Sequence, residues 1–246
     1  MKTNLIGISG KMGSGKDTAG IIMQYLSSRN NLTGSQKEYL KDLKYLSHIL
    51  GKKGKYKIKK YADKLKDIAC LLIGCTREQL EDREFKEKPL GPEWMKWFTE
   101  DGLAPKDNNA GVGEVLTPRK LLQLLGTECG RDIIHPNIWV NALFADFENN
   151  KSEWLSGLNS KWIITDVRFP NEAQAIKDRG GVVIRVNRPC PECKVIEGHK
   201  FGCLTYKKLI EHPSETALDN YDFDHVIEND GSIEDLLEKV KQLKLV

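Results

Sequence analysis

Near the start of the chain stands the sequence Leu5-Ile6-Gly7-Ile8-Ser9-Gly10-Lys11-Met12-Gly13-Ser14-Gly15-Lys16-Asp17-Thr18. A short apolar run leads directly into a glycine-rich loop, and residues 19–26 beyond the loop favour a helix. The order strand, loop, helix is the context that the motif G-x-x-x-x-G-K-[ST] requires, and Gly10, Gly15 and Lys16 have its spacing. The sequence therefore predicts a phosphate-binding loop, and the alternative is a glycine-rich turn that binds nothing.

The residue types of the loop explain how it would hold a phosphate. Glycines let successive backbone N–H groups turn toward the ligand without a Cβ in the way, and the first helical turn adds unpaired N–H groups. Lys16 would supply a full charge to the β- and γ-phosphates. Asp17 stands where a hydroxyl residue usually coordinates Mg²⁺, and the hydroxyl follows at Thr18. We expect Asp17 to hold the metal directly or through water, and Thr18 to take over a phosphate contact.

The composition suits a globular protein. The 246 residues are 39% hydrophobic and 30% charged, which fits one domain with insertions. No apolar run is long enough to span a membrane, and the N-terminal residues do not resemble a signal peptide. We therefore expect a cytosolic protein without a membrane partner, its six cysteines reduced. The net charge of +3 is too small to indicate nucleic-acid binding by itself.

Three segments look like additions to a compact α/β core. Residues 29–60 carry ten lysines and arginines against two acids, and we interpret most of them, about 30–55, as a surface insertion. A basic face of this kind is usually solvated, although it could attract a nucleic acid or a nucleotide. Residues 89–113 are rich in Gly, Pro, Asp and Asn and predict a long loop, with a possible lid within 89–135. Residues 190–211 form the third such segment.

The region after the first insertion predicts a second strand over residues 57–62 and a helix over 63–72. The start of this helix follows the carboxyl end of the strand, and that edge is where open α/β sheets bind ligands. Thr117-Pro118 predicts the start of another helix, because Thr is a good N-cap and Pro favours the first helical position. Arg119 lies in the first turn, where a cation opposes the helix dipole, so it indicates a phosphate ligand.

Two further predictions concern the residues after this helix. The glycines of residues 126–131 predict that the helix breaks there. Residues 139–147 predict another helix, with Trp139, Leu143 and Phe147 at four-residue steps. That spacing on its own favours packing of Trp139 in the core.

A second acidic element follows. Residues 161–166 form an apolar strand that ends in Asp166, which is the pattern of the acidic strand that accompanies a phosphate loop. Arg168 would project at the same edge, and Glu172 would lie in the first turn of a helix capped by Asn171. With the apolar strand over 182–186, these residues predict a βαβ unit.

Four residues raise the possibility of a structural zinc ion. Cys190 and Cys193 have C-x₂-C spacing, and His199 and Cys203 follow. Four such ligands could bind zinc tetrahedrally. The alternative is an exposed loop with reduced thiols.

The alternation of strands and helices predicts an α/β fold with a parallel sheet between helices. Its carboxyl edge would bring together one charged site, made of Lys16, Asp17, Asp166, Arg168, Glu172 and Arg119. The acids could hold Mg²⁺, and the arginines could neutralise a second phosphorylated molecule. Phosphoryl transfer needs mainly such positioning and charge stabilisation, and a closing segment would exclude water.

Several landmarks recur in the order found in a known family. They are Ser9-Gly10 to Gly15-Lys16-Asp17-Thr18, Arg119 to Thr127, Trp139, Asp166-x-Arg168-x-x-x-Glu172, Arg188-Pro189, His212-x-Ser214-Glu215 and Asn229-Asp230-Gly231-Ser232. On these residues the chain resembles the deoxynucleoside monophosphate kinases of tailed bacteriophages. The resemblance implies a fold like that of phosphate-loop nucleoside monophosphate kinases. It also implies transfer of the γ-phosphate of ATP to a deoxynucleoside 5′-monophosphate, in the host cytosol if the chain is phage-encoded.

The resemblance also implies roles for residues at matching positions. ATP would be bound by Lys11, Gly13, Ser14, Gly15, Lys16, Asp17, Thr18 and Arg188, with Mg²⁺ on Asp17 and Thr18. Lys16, Asp17 and Arg119 would be catalytic. The monophosphate would be bound by Leu65, Lys66, Arg83, Trp139, Asp166, Arg168 and Glu172, with Trp139 stacking on the base. The apparent insertions at 30–55 and 190–211 leave the substrate range and the oligomeric state open, including a homodimer.

Three alternatives remain at this point. One is another small-metabolite kinase of the same fold, of the phosphomevalonate or dephospho-coenzyme A type, and phosphomevalonate kinases also have Gly-Lys-Asp in the loop. Another is a nucleotide-dependent nucleic-acid-binding module that uses residues 29–60 and binds DNA with steep salt dependence. A structural interaction protein would leave the phosphate loop and the acid–arginine pattern unexplained. A base-stacking aromatic at Trp139 favours a nucleotide acceptor.

Overall fold

The computed structural model of the chain describes residues 3–28, 50, 54–94, 96–98, 112–114, 116–149, 161–189 and 213–246. The chain divides into two compact units. The first comprises Met1–Tyr61 and Leu143–Val246, and the second comprises Ala62–Ala142. A single domain over 1–246 stays a prediction. The insertion predicted at 190–211, and most of the one at 30–55, lie outside the described residues.

The described strands and helices follow one another in the order expected for an α/β protein. The strands are β1 Leu5–Ser9, β2 Tyr56–Lys59, β3 Lys96–Phe98, β4 Val112–Glu114, β5 Lys161–Val167, β6 Val182–Asn187 and β7 His225–Glu228. The α-helices are α1 Lys16–Ser28, α2 Ala62–Ile73, α3 Arg77–Glu81, α4 Arg83–Glu87, α5 Pro118–Gln123, α6 Ile138–Asn149, α7 Pro170–Lys177, α8 Pro213–Thr216 and α9 Ile233–Gln242. None of the described helices combines the length and the apolar character that crossing a bilayer needs.

The first unit contains a five-stranded parallel sheet in the order β2-β5-β1-β6-β7. Every residue of β1 is buried, and Ile6 pairs with Ile163 on one side and with Val182 on the other. A strand that is buried on both faces reads as a continuous apolar run, as this one does. Because β1 is central, the loop after Ser9 lies at the middle of the carboxyl edge of the sheet.

Helices cover both faces of this sheet. Ile6 and Ile8 pack with Ile22 of α1 and Leu237 of α9 in one cluster of buried side chains. Side chains alternate along a strand, so Gly7 faces the other side, where an added Cβ would lie 2.5 Å from Cδ1 of Ile176 in α7. The predicted α/β class, with a parallel sheet flanked by helices, is confirmed.

The N-terminus of α9 is stabilised by hydrogen bonds between residues close in sequence. Ser232 is the N-cap, its hydroxyl accepts from the N–H of Asp235, and the Asp235 carboxylate accepts from the N–H of Ser232. Together these two bonds form a capping box. Leu237 is fully buried, whereas Ile233 on the same helix is 38% exposed.

We expect Leu237→Ala to reduce the free energy of unfolding by about 2–5 kcal/mol, because it removes buried methyl groups and leaves a cavity. Urea denaturation followed by circular dichroism measures the change. Ile233→Ala is the matched control, with an expected loss of under about 1 kcal/mol. Equal losses for the two variants would contradict the packing described for α9.

In the described part of the second unit, helices pack around a small apolar cluster formed by Ala69, Leu80 and Leu121. Thr117 caps α5 as predicted, accepting from the N–H of Lys120 at 3.2 Å, and Pro118 begins the helix. The prediction of a long loop over 89–113 is wrong in part. β3 and β4 pair there in an antiparallel two-stranded sheet.

The helix break predicted at residues 126–131 is also wrong. Leu124–Ile134 forms a π-helix, and the N–H of His135 donates to the carbonyl of Gly130, five residues back, at 3.0 Å. A Cβ on Gly130 would lie 3.0 Å from Cζ2 of Trp139. The glycine therefore permits close packing inside a helix, instead of ending it.

Candidate active site

The loop between β1 and α1 has the backbone of a phosphate cradle. Gly13 and Gly15 have φ angles of +78° and +91°, a region that side chains disfavour. A Cβ on Gly10 would lie 2.6 Å from the carbonyl oxygen of Val186, so the loop lies directly against β6. The Ser14 hydroxyl is buried and has no hydrogen-bond partner among the described residues. These features fit a loop that surrounds an oxyanion.

Lys16 is the first residue of α1 and is 8% exposed. Its Nζ donates to the carbonyl oxygen of Lys11 at 3.4 Å. Burial lowers the pKa of the Lys16 ammonium, and the charge of Arg168 lowers it further. Three carboxylates oppose this shift without cancelling it, and they belong to Asp17, Glu215 and Asp166. A cation that burial destabilises in this way would be stabilised by an anionic phosphate.

Asp17 is positioned by two neighbours. The Thr165 hydroxyl donates to its Oδ1 at 2.8 Å, and Nζ of Lys60 lies 2.8 Å from the same oxygen. Partial burial acts to raise the pKa of Asp17, but the charge of Lys60 and these hydrogen bonds outweigh it, so the pKa is lowered. The side chain is half exposed and ionised near neutral pH, as a metal ligand must be.

No group of three or more His, Cys, Asp or Glu side chains that could hold a metal ion occurs among the described residues. Mg²⁺ commonly binds through one or two carboxylates and completes its shell with substrate phosphates and water. The Asp17 carboxylate, with Thr18 beside it on α1, fits that pattern. The proposed zinc ligands Cys190, Cys193, His199 and Cys203 lie outside the described residues.

The carboxyl end of β5 brings the predicted acid–arginine group to the same edge of the sheet. Asp166 is buried and accepts from the backbone N–H of Tyr61 at 2.8 Å. Glu172 is 1% exposed, and its Oε2 accepts from the N–H of Arg168 at 2.7 Å and of Phe169 at 3.1 Å. Glu172 therefore fixes the turn that presents Arg168.

The predicted capping role of Asn171 is wrong. α7 begins two residues earlier than that cap would place it, at Pro170, with Phe169 as its N-cap residue. Proline's fixed φ suits the first helical position, and the Glu172 carboxylate supplies an acceptor at the helix start. An asparagine cap is therefore unnecessary.

We expect Glu172→Ala to lower the free energy of unfolding by about 1–3 kcal/mol, because two N–H groups lose their charged acceptor. Thermal unfolding measures the loss. Asp178→Ala, near the exposed end of the same helix, serves as the control, with an expected change within about 0.5 kcal/mol. An unchanged melting temperature for Glu172→Ala would contradict the structural role of this carboxylate.

Arg168 contacts a segment whose role the sequence left open. Its Nη1 forms an ion pair with Oε1 of Glu215 and donates to the hydroxyl of Ser214 at 3.3 Å. The other oxygen of Glu215, Oε2, accepts from the N–H of Met12 at 2.8 Å. Arg168 and the phosphate loop are thus tied to the same carboxylate.

Several other residues at this edge were not predicted as site residues. Asp219 pairs with Nζ of Lys11 and with Nη2 of Arg185, each at 3.1 Å. Asn229 donates from Nδ2 to the carbonyl of Ser14 at 2.8 Å, which braces the loop. Lys60 and Asn229 directly follow parallel strands, and that position could have identified them. The sequence carried no comparable signal for Asp219.

Arg188, a predicted ATP ligand, is exposed just after β6.

The remaining predicted site residues lie in the second unit. Leu65 is buried, and Lys66 pairs with Glu81 at 2.5 Å. Arg119 lies in the first turn of α5, as predicted, and forms an ion pair with Glu87. Arg83 is exposed at the start of α4. Roles for these residues in ligand binding stay predictions.

Trp139 is explained by packing within the second unit. It is 6% exposed, and its indole Nε1 donates to the carbonyl of Gly126 at 2.8 Å. A buried indole N–H normally has such a partner. Stacking of Trp139 on a base stays a prediction, and it would have to use the face of the ring.

A glycine-rich loop with a buried lysine, at the centre of a parallel sheet and beside an acid–arginine strand end, defines a phosphate-loop nucleotide kinase. A family model described as deoxynucleotide monophosphate kinase matches residues 95–240. That match covers more than half of the chain, so the chain belongs to the deoxynucleotide monophosphate kinase family. The protein is therefore a kinase, and the resemblance found in the sequence is confirmed.

Individual relatives agree with this family. A deoxynucleoside-5′-monophosphate kinase of Escherichia phage T5 is 27% identical, over 71% of this chain and 72% of that protein. A putative deoxynucleotide monophosphate kinase of Acanthamoeba polyphaga mimivirus is 29% identical, over 96% and 93%. A solved dephospho-CoA kinase from Campylobacter jejuni covers 98% of this chain and 95% of its own, with 14% identity and a TM-score of 0.40.

Proposed function

We propose that the protein transfers the γ-phosphate of ATP to the 5′-phosphate of a deoxynucleoside monophosphate, giving ADP and the deoxynucleoside diphosphate. The observation that carries the proposal is the grouping of Lys16 and Arg168 at one edge of the sheet, where Glu215 pairs with Arg168 and also accepts from the N–H of Met12 in the phosphate loop. Two such cations suit two phosphate groups that must approach each other. The metabolite-kinase and nucleic-acid-binding alternatives are not favoured by the family.

The phosphate loop would hold ATP. Its backbone N–H groups and Lys16 would cradle the β- and γ-phosphates, and Arg188 would contact the nucleotide from the end of β6. Lys11, Gly13, Ser14, Gly15, Asp17 and Thr18 complete the proposed ATP site. When bound, Mg²⁺ would neutralise charge on the phosphate oxygens. Asp17 suits the metal because Thr165 orients its carboxylate and its lowered pKa keeps it charged.

Arg168 would bind the acceptor phosphate, while Glu172 holds its backbone in place. We also assign Asp166 to the acceptor, with Leu65, Lys66, Arg83 and Trp139 as further contacts. Arg119 would stabilise the transferring phosphoryl group, together with Lys16. No general base is assigned, because positioning and charge stabilisation carry most of this chemistry.

A coupled ADP-release assay with Mg-ATP tests the proposal against a panel of acceptors. The panel holds the four standard deoxynucleoside monophosphates, the matching ribonucleotides, phosphomevalonate and dephospho-coenzyme A. We expect turnover with one or more deoxynucleoside monophosphates, which also gives the base preference. Turnover with phosphomevalonate or dephospho-coenzyme A alone would contradict the proposal. So would a lack of turnover with every acceptor by folded protein that binds ATP.

Three finer points remain proposals from the sequence. We propose that Cys190, Cys193, His199 and Cys203 bind one structural zinc ion, and metal analysis of the purified protein tests this. One zinc per chain that is lost in Cys190→Ser would support the metal site, and metal-free folded protein would contradict it.

A homodimer and a location in the host cytosol are further proposals, and no nucleic-acid partner is proposed.

A further inference from the structure

The short helix α8 and the turn that follows it carry two carboxylates that contact the phosphate loop. Oε2 of Glu215 accepts from the N–H of Met12 at 2.8 Å, and Oδ2 of Asp219 lies 3.1 Å from Nζ of Lys11. The two residues of each contact lie more than 200 positions apart in the sequence. They therefore depend on the fold and could not be seen in the sequence.

The two carboxylate oxygens of Glu215 contact different residues. Oε1 pairs with Nη1 of Arg168, while Oε2 holds the N–H of Met12. The Glu215 side chain is 8% exposed, against 35% for that of Arg168. A carboxylate this buried is stable only when both oxygens are satisfied. Glu215 therefore sets the distance between the Arg168 guanidinium and the phosphate loop.

The contacts also orient the guanidinium. Ser214 accepts from the same nitrogen, Nη1, at 3.3 Å. In the part of the chain that the structure describes, no other hydrogen bond or ion pair reaches the Arg168 guanidinium. The N–H groups of Nη2 and Nε therefore remain available to donate to a ligand. Phosphate is recognised best by two parallel N–H groups on one edge of an arginine.

We propose that Glu215 is a positioning residue, which holds one end of the Arg168 guanidinium against the phosphate loop and leaves the edge with Nη2 and Nε to bind the acceptor phosphate. This inference rests on the proposed function and deepens it. Ser214 supports the same orientation. Neither residue needs to touch the substrate, because both act through Arg168.

A double-mutant cycle on monophosphate binding tests the inference. The dissociation constant of each of the four deoxynucleoside monophosphates is measured by calorimetry without ATP, for wild type, Glu215→Ala, Arg168→Ala and the double variant. We expect Glu215→Ala to weaken monophosphate binding about tenfold when Arg168 is present, and by less than about twofold when Arg168 is absent. The KM of ATP should change less than the KM of the monophosphate.

Two further variants complete the design. Glu238→Ala removes an ion-paired glutamate on α9, 2.6 Å from Lys241, and should leave the dissociation constants unchanged. If Glu215→Ala does not fold, Glu215→Gln carries the cycle, because the amide keeps the size and removes the charge. Equal weakening in both Arg168 backgrounds, or equal loss of ATP and monophosphate affinity, would overturn the inference.

The outcomes separate this inference from the proposed function. Monophosphate binding with the expected coupling but no transfer would contradict the proposed function alone. Normal transfer without coupling would contradict the role of Glu215 alone. Failure of the wild-type protein to bind any of the four monophosphates would contradict both.

Discussion

Replacing Lys16 by alanine is expected to reduce phosphoryl transfer by about a thousandfold while the protein stays folded. The lysine lies at the start of α1, beside the loop glycines, where a phosphate would need its charge most. Loss of one such charge-stabilising donor at a water-excluded site typically costs this much in rate. The measurement is the turnover rate at saturating Mg-ATP with the preferred acceptor from the panel.

The fold should survive because the charge of Lys16 costs stability in the ligand-free protein. Its pKa is lowered by burial, so the folded state disfavours the charged form at every pH below the folded pKa, and this cost fades as the pH rises through the unfolded pKa. Circular dichroism and thermal unfolding check the fold, and Lys241→Ala on α9 is the matched control. An unfolded Lys16→Ala variant, or one with ordinary turnover, would contradict the assignment.

The second large effect is expected from Arg168→Ala. We predict that the KM of the monophosphate rises about 10- to 150-fold, because a charged hydrogen-bonding group is worth about 1.5–3 kcal/mol. The affinity for ATP should change by less than about threefold. Steady-state kinetics with each substrate varied in turn separates the two effects.

A second arginine variant controls for the loss of a surface charge. Arg179 lies beyond α7, with its guanidinium over the ring of Phe144, and Arg179→Ala should leave both KM values close to wild type. Equal losses of ATP and monophosphate affinity in Arg168→Ala would show that Arg168 does not select the acceptor phosphate. They would also remove the basis for the positioning role of Glu215.

Local sequence rules predicted the elements whose signals are themselves local. The loop after β1 follows from glycine spacing, and two of its three glycines have positive φ. The apolar run ending in Asp166 lies in β5, the cap at Thr117 forms as expected, and Ser232 caps α9. For the loop and the two caps, the deciding interaction lies within a few residues of the pattern that predicts it.

The failures arise where a distant contact decides the local structure. Gly130 looks like a helix breaker, but it allows the close approach of Trp139 in a π-helix. The sequence also gave no sign that the Glu172 carboxylate accepts from two backbone N–H groups, and its predicted contact with the monophosphate stays a prediction. No local pattern could show that Glu215 reaches both Met12 and Arg168.

The most direct measurement follows the γ-phosphate itself. Wild-type protein is incubated with ATP labelled at the γ-phosphate, Mg²⁺ and the preferred deoxynucleoside monophosphate, and the products are separated. The account predicts that the label appears in the deoxynucleoside diphosphate, one equivalent for each ADP formed, and that Lys16→Ala yields almost none. Label that appears as inorganic phosphate, at a rate independent of the monophosphate, would contradict the account.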